Sequence, residues 1–162
     1  MAYLIDTNVL IRAKREWYRF GTFPGFWALM KQLATDGVIT SVEAVHRELV
    51  AQKDELSDWV AQECPTGLFV APDAGTAAAA GRVTAWTVGP LTHYSEAAHA
   101  EFFAAADYWI VAQALAHGHT VVTHEIPAPQ SVKNIKVPDA CNALGVPWLN
   151  SYQMLEEVGA RF

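Results

Sequence analysis

Five short apolar runs, each parted from the next by a segment long enough for a helix, constrain most what this chain can fold into. Tyr3–Ile5, Val38–Ile39, "GLFVAP" at 67–72, "HTVVT" at 119–123 and "VPWL" at 146–149 read as strands. "PGFWALMKQLATDG" places Phe26, Leu29, Met30 and Leu33 at helical spacing, with Pro24 near its start and Gly37 past its end. Thr40 followed by Glu43 predicts a capping box for the next helix, and a third helix is centred on Leu56, Trp59 and Val60. The alanine-rich stretch Ala74–Trp86 is helical, with an expected interruption at Gly81. "SEAAHAEFFAAADYWIVAQALAHG" carries two helices, the second running from near Asp107 to Gly118. Pro138–Leu144 is a short helix stopped by Gly145, and a last helix follows the fifth strand. Strands separated by helices pair in parallel and need cover on both faces. The expectation is an α/β fold: a three-layer α/β/α sandwich around a parallel sheet of four or five strands, one domain over residues 1–162.

Composition agrees with a packed core. The chain has 162 residues, 52% of them hydrophobic and 17% charged, which suits a globular domain rather than a disordered one. No apolar run approaches the roughly 20 residues that span a bilayer, and no basic segment followed by a long apolar one opens the chain. Neither a membrane span nor a signal peptide is expected. Cys64 and Cys141 have no metal-like or redox spacing, so a reducing cytoplasm is the expected setting. The formal charge of −6 argues against a general nucleic-acid coat, but not against a nuclease whose acids bind metal ions. Arg12, Lys14, Arg15 and Arg19 form one basic group, and Lys133 with Lys136 a second; each reads either as a solvated face or as phosphate contacts. Six aromatics crowd "REWYRFGTFPGFW", mostly as core, with some share expected at an interface.

In an open parallel sheet, sites form beyond the C-terminal ends of the strands. Asp6 directly follows the first strand, inside "LIDTN", and Glu125 follows "HTVVT". Asp107 starts a helix, Asp139 starts the late short one, and Glu48 lies at the edge of a helix's buried face. Each has a plainer reading alone. Asp6 and Asn8 suit a turn and cap, Asp107 a helix cap, Glu48 a solvated position, Glu125 a loop charge and Asp139 first-turn helix chemistry. Together they place several acids at one sheet edge, where mutual repulsion raises pKa values unless cations intervene. Oxygen ligands without a Cys/His cluster suit Mg²⁺ or Mn²⁺, ions that activate water and stabilise phosphodiester displacement. His117 and His119 flank Gly118, whose role as a helix stop explains their spacing; His124 is the better candidate for touching substrate phosphate.

"LIDTN", Glu48 in "HREL", "AADYWIVAQALAHGHTVVTHE" and "VPWLNSYQML" together resemble the PIN-domain nucleases, over nearly the whole chain and in order. The likeness is greatest to the VapC-like toxin ribonucleases, and "KNIKVPDACNALGV" is similar to a less-studied PIN subgroup. The resemblance implies that Asp6, Glu48 and Asp107 are metal-site acids, with Thr7 and Asn8 orienting Asp6. Glu125 stands where the family usually has Asp, which leaves Glu125 and Asp139 both as candidates to complete the site. It further implies an endoribonuclease using Mg²⁺ or Mn²⁺, an antitoxin partner and a homodimer. The rival reading is a PIN-like module that has lost its chemistry and binds protein or RNA. A haloacid-dehalogenase-type phosphatase needs a second Asp where Asn8 stands, and a receiver domain needs a paired acid and a later phosphoacceptor; neither pattern is present.

Overall fold

The computed structural model describes residues 1–162. Five parallel strands form one sheet: β1 (Tyr3–Ile5), β2 (Ile39–Val42), β3 (Phe69–Val70), β4 (Thr120–Val122) and β5 (Trp148–Leu149). Their spatial order is β3-β2-β1-β4-β5. The chain steps outward from β1 to β3, then returns to lay β4 on the free side of β1. Ile5 is thereby in register with Val122, and the switch in winding direction falls between β1 and β4.

Ten helical segments connect the strands. They are α1 (Thr7–Arg12), a π-helical turn over Ala13–Trp17, α2 (Pro24–Thr35), α3 (Glu43–Ala51), α4 (Glu55–Gln62), α5 (Ala74–Thr87), α6 (Glu96–Ala104), α7 (Ala106–His117), α8 (Val137–Leu144) and α9 (Ser151–Glu157). Leu4, Ile5, Phe26, Met30, Val45, Leu49, Ile110 and Met154 are almost wholly buried in the core between them. Helix α7 packs against β2, β4 and α5. The small side chains of α5, with Ala79, Ala80 and Val83 buried, let it lie close to α7. Gly118 and Gly145 end α7 and α8 with φ of 68° and 73°, backbone angles that only glycine adopts without strain.

Two local expectations change, and the aromatic stretch packs mostly as expected. β2 runs to Val42, so Thr40 is a strand residue and makes no capping box; the position before α3 is Val42, with no side-chain cap. Cross-sheet bonding claims this segment instead, because the Ser41 hydroxyl donates to the Ile5 carbonyl at 2.8 Å. A capping box does form one helix later, between Asp54 and Ser57 at the start of α4. The predicted break at Gly81 is absent, and α5 is continuous from Ala74 to Thr87. A mid-helix glycine costs about 0.5–1 kcal/mol, less than the packing of α5 on α7 supplies. The aromatic stretch is largely core: Tyr18 stacks on Phe26 at 4.4 Å and Phe20 on Trp27 at 4.0 Å, while Phe23 is 45% exposed.

Ile110 is fully buried in α7, the helix that carries Asp107. Ile110→Ala is expected to destabilise the domain by about 2–5 kcal/mol, read as a lower urea midpoint with an unchanged slope.

Candidate active site

The carboxylate of Asp6 is the centre of a hydrogen-bonded clasp between β1 and β4. Asp6 is 2% exposed, and its backbone N–H continues the sheet by donating to the Val122 carbonyl at 3.0 Å. Its Oδ2 accepts from the Thr123 hydroxyl at 2.7 Å and from the Asn8 amide at 2.8 Å. The other end of Asn8 accepts the His124 N–H at 3.1 Å, and Thr123 Oγ1 accepts the Glu125 N–H at 3.1 Å. Asp6 occupies the position before α1, yet caps neither the second nor the third helical N–H through its side chain. A simple turn-and-cap reading of "DTN" therefore misses where this carboxylate points.

Thr7 and Glu48 make a second tie. The Thr7 hydroxyl donates to Glu48 Oε2 at 2.7 Å, and Glu48 Oε1 accepts the Ala106 N–H at 2.9 Å. That N–H belongs to the first residue of α7, one of the amides a helix cannot satisfy itself. Glu48 thus fastens α3 to α1 and to the start of α7. Thr7, expected to orient Asp6, orients Glu48. The position before α7 is Ala105, so Asp107 is not the cap but the second residue of the helix.

Asp107 faces Glu125. Burial, then the charges of Asp6, Glu125 and Glu48, push Asp107 up to about 8. Burial and the same neighbours push Asp6 up to about 7, against the lowering effect of the Thr123 hydroxyl. Glu125 is also raised, chiefly by burial, although the Val137 N–H donates to its Oε2 at 3.2 Å and Asp107 shares a hydrogen bond with it. Three acids from three segments therefore repel one another across the switch point. Asp107 and Glu125 open onto a cavity of about 150 Å³ that Glu101, Asn134 and Lys136 also line.

Asp139 takes another position. It is buried, its Oδ2 accepts the Ala128 N–H at 2.9 Å, and it anchors the segment after β4 on the side of a neighbouring groove lined by Trp86 and Tyr94. His124 does not extend toward the cavity. Its Nε2 bonds the Ser151 hydroxyl at 2.7 Å, its ring packs 4.7 Å from Trp17, and burial with the nearby Arg12 lowers its pKa. His117 pairs with Asp73, and His119 accepts the Ala2 N–H.

Sequence reading missed Thr123, Glu101 and Cys141. The Cys141 thiol is buried and pushed up to about 12, by burial first and then by Asp6 and Glu125. Thr123 had one visible signal, a hydroxyl at the end of a strand rich in β-branched residues; Glu101 and Cys141 had none, being brought in by α6 and α8.

The donor chemistry suits a hard cation: carboxylate oxygens whose pKa values are raised, chiefly by burial, with no imidazole or thiolate presented among them. No three acidic, histidine or cysteine side chains are gathered into a ready-made cage.

A family model described as "Domain of unknown function (DUF4411)" matches residues 3–162. No curated protein matches the chain. A chain in the crystal structure of VapBC2 from Rickettsia felis, bound to a DNA fragment from their promoter, is similar in fold, with a TM-score of 0.56 and 15% identity. The match covers 93% of this chain and 98% of that one. The three-layer sandwich is accordingly PIN-like.

The raised carboxyl groups set a pH dependence. Between the ordinary carboxylate range near 4 and the folded values of about 7 and 8, the folded protein holds protons that the unfolded chain has released. Stability is therefore highest at the acid end of that window and falls as pH rises through it. Asp6→Asn removes one of the repelling charges and is expected to raise Tm at about pH 8 while leaving it nearly unchanged at about pH 5. Thermal melts at the two pH values check it; equal shifts at both would contradict the repulsion described.

Proposed function

The chain belongs to the DUF4411 family, and from its site we propose that it is a metal-dependent endoribonuclease, the toxin of a toxin–antitoxin pair. One observation supports the reading: Asp6, Asp107 and Glu125 are buried beside the sheet's switch point with raised pKa values, each first by burial, and Asp6 and Asp107 also by neighbouring carboxylates. A fold built for stability alone has no use for such repulsion. The PIN-like fold shared with a VapBC2 chain supports a nuclease rather than another phosphate enzyme.

Asp6, Asp107 and Glu125 would hold Mg²⁺ or Mn²⁺. Bound there, the ion would supply a Lewis acid and lower the pKa of a water attacking phosphorus. The chain's own residues do the rest. Thr123 and Asn8 hold the Asp6 carboxylate by donating to one oxygen, which leaves the other to face the site. Glu48 acts at one remove, keeping α7, and with it Asp107, against α1. Asp139 holds the segment that follows Glu125. RNA is the proposed substrate, with an antitoxin and a second copy of the chain as partners.

The inactive-module reading has one observation in its favour, that both Glu48 oxygens already serve backbone and hydroxyl donors. The two readings part on a single assay set. With Mn²⁺, the protein is expected to cleave single-stranded RNA; Asp6→Asn or Asp107→Asn should lower the rate by more than about 100-fold, and Asn8→Ala by about 10–100-fold through lost support. Mn²⁺ should also raise Tm, more at about pH 8 than at about pH 5, because protons compete for the same oxygens. Neither cleavage nor a Mn²⁺-dependent shift would leave the module reading in place.

A further inference from the structure

Of the 11 lysines and arginines, Lys136 is the one that is both half-buried and outside every ion pair. Arg12 and Lys14, the other half-buried cations, are paired with Glu16 and Asp54. The remaining unpaired ones, Lys133 among them, are exposed. A half-buried ammonium has lost part of its hydration and is retained where an anion compensates it. Glu125 lines the same cavity, yet no ion pair forms between it and Lys136. The ammonium is thus left outside any ion pair on the lining of the cavity that the acids share.

Its place in the chain adds to this. Lys136 immediately precedes α8, and the next N–H, of Val137, is the one that donates to Glu125. The backbone that holds Glu125 thus also fixes where Lys136 starts. Both side chains line the cavity of about 150 Å³ with Asp107, Glu101 and Asn134. The lining offers carboxylates, suited to cations, and an ammonium outside any ion pair, suited to an anion such as a phosphodiester.

We infer that Lys136 is the residue that binds the RNA phosphate in this cavity, which Asp107 and Glu125 also line. The inference rests on the nuclease reading and names the residue that seats its substrate. As a point charge on a flexible stem, Lys136 would bind phosphate without reading sequence.

The test measures binding apart from cleavage. In the Asp6→Asn background, with Mg²⁺ present, a fluorescent single-stranded RNA pool is titrated by anisotropy across a salt series, with and without Lys136→Gln. Lys136→Gln is expected to weaken binding by about threefold to tenfold, alike for unrelated sequences, and to make log Kd against log salt shallower by about 0.7. Lys136→Arg should restore both. Lys133→Gln, on the exposed side of the same segment, should change neither to the same extent. Unchanged affinity and slope in Lys136→Gln would overturn the inference, as would a change confined to Mn²⁺ affinity, which would make Lys136 a counter-charge to the acids. Cleavage of the same RNA by the unsubstituted protein, measured in parallel, separates the two ideas. If it cleaves and Lys136→Gln binds normally, only the inference fails. If it neither cleaves nor binds, both fail.

Discussion

The hydroxyl of Thr123 donating to the carboxylate of Asp6 is the contact on which the rest of the site depends. It joins the ends of β1 and β4, the two central strands between which the sheet's winding reverses. At that point the chains leaving neighbouring strands diverge, and a crevice opens that no side chain of the core fills. Asn8 spans the same gap a second time, bonding Asp6 with one end and the His124 N–H with the other. Glu125 is placed because its own N–H is held by the same threonine. One acid and the backbone of another are thus positioned by two neutral side chains, Thr123 and Asn8, one and three residues past the strand ends.

Holding the acids there opposes folding. Each carboxylate brought into the crevice loses water and meets like charge, which is why Asp6 and Asp107 keep their protons to about 7 and 8. The opposing force is ordinary packing. Ile110 and Val111 of α7 and Leu4 and Ile5 of β1 are buried without remainder, so the helix that carries Asp107 and the strand that carries Asp6 have no room to separate. Glu48 adds a polar tie at the open end, satisfying a helix amide that would otherwise face the crevice. The result is a rigid frame around charges that a cation would stabilise.

Much of this was legible in the sequence. The β-branched "HTVVT" run, the helical spacing of Phe26, Met30 and Leu33 and the stops at Gly118 and Gly145 each depend on neighbours a few residues away, and each is present in the fold. Local signals failed where a distant partner outbid them. Thr40 carries the pattern of a cap, but β2 continues through it because Ser41 bonds across to Ile5. Gly81 carries the pattern of a break, but α7 holds α5 together through it. His124 stands beside Glu125 in the chain, yet α9 and Trp17 draw its ring the other way.

What the sequence determined by itself was the class of fold and the identity of the acids. Strands parted by helices leave few arrangements other than a covered parallel sheet, and carboxylates at strand ends then have few places to go but its C-terminal edge. What only the tertiary structure decided was which groups share that edge and in what state. Strand order placed Thr123 against Asp6, the seating of α6 and α8 brought Glu101, Cys141 and Lys136 around the acids, and the fold turned Asp139 toward Ala128. These are relations between segments up to 135 residues apart in numbering, from Asp6 to Cys141. Burial and charge–charge repulsion depend on distance in space, and spacing along the chain carries no record of it.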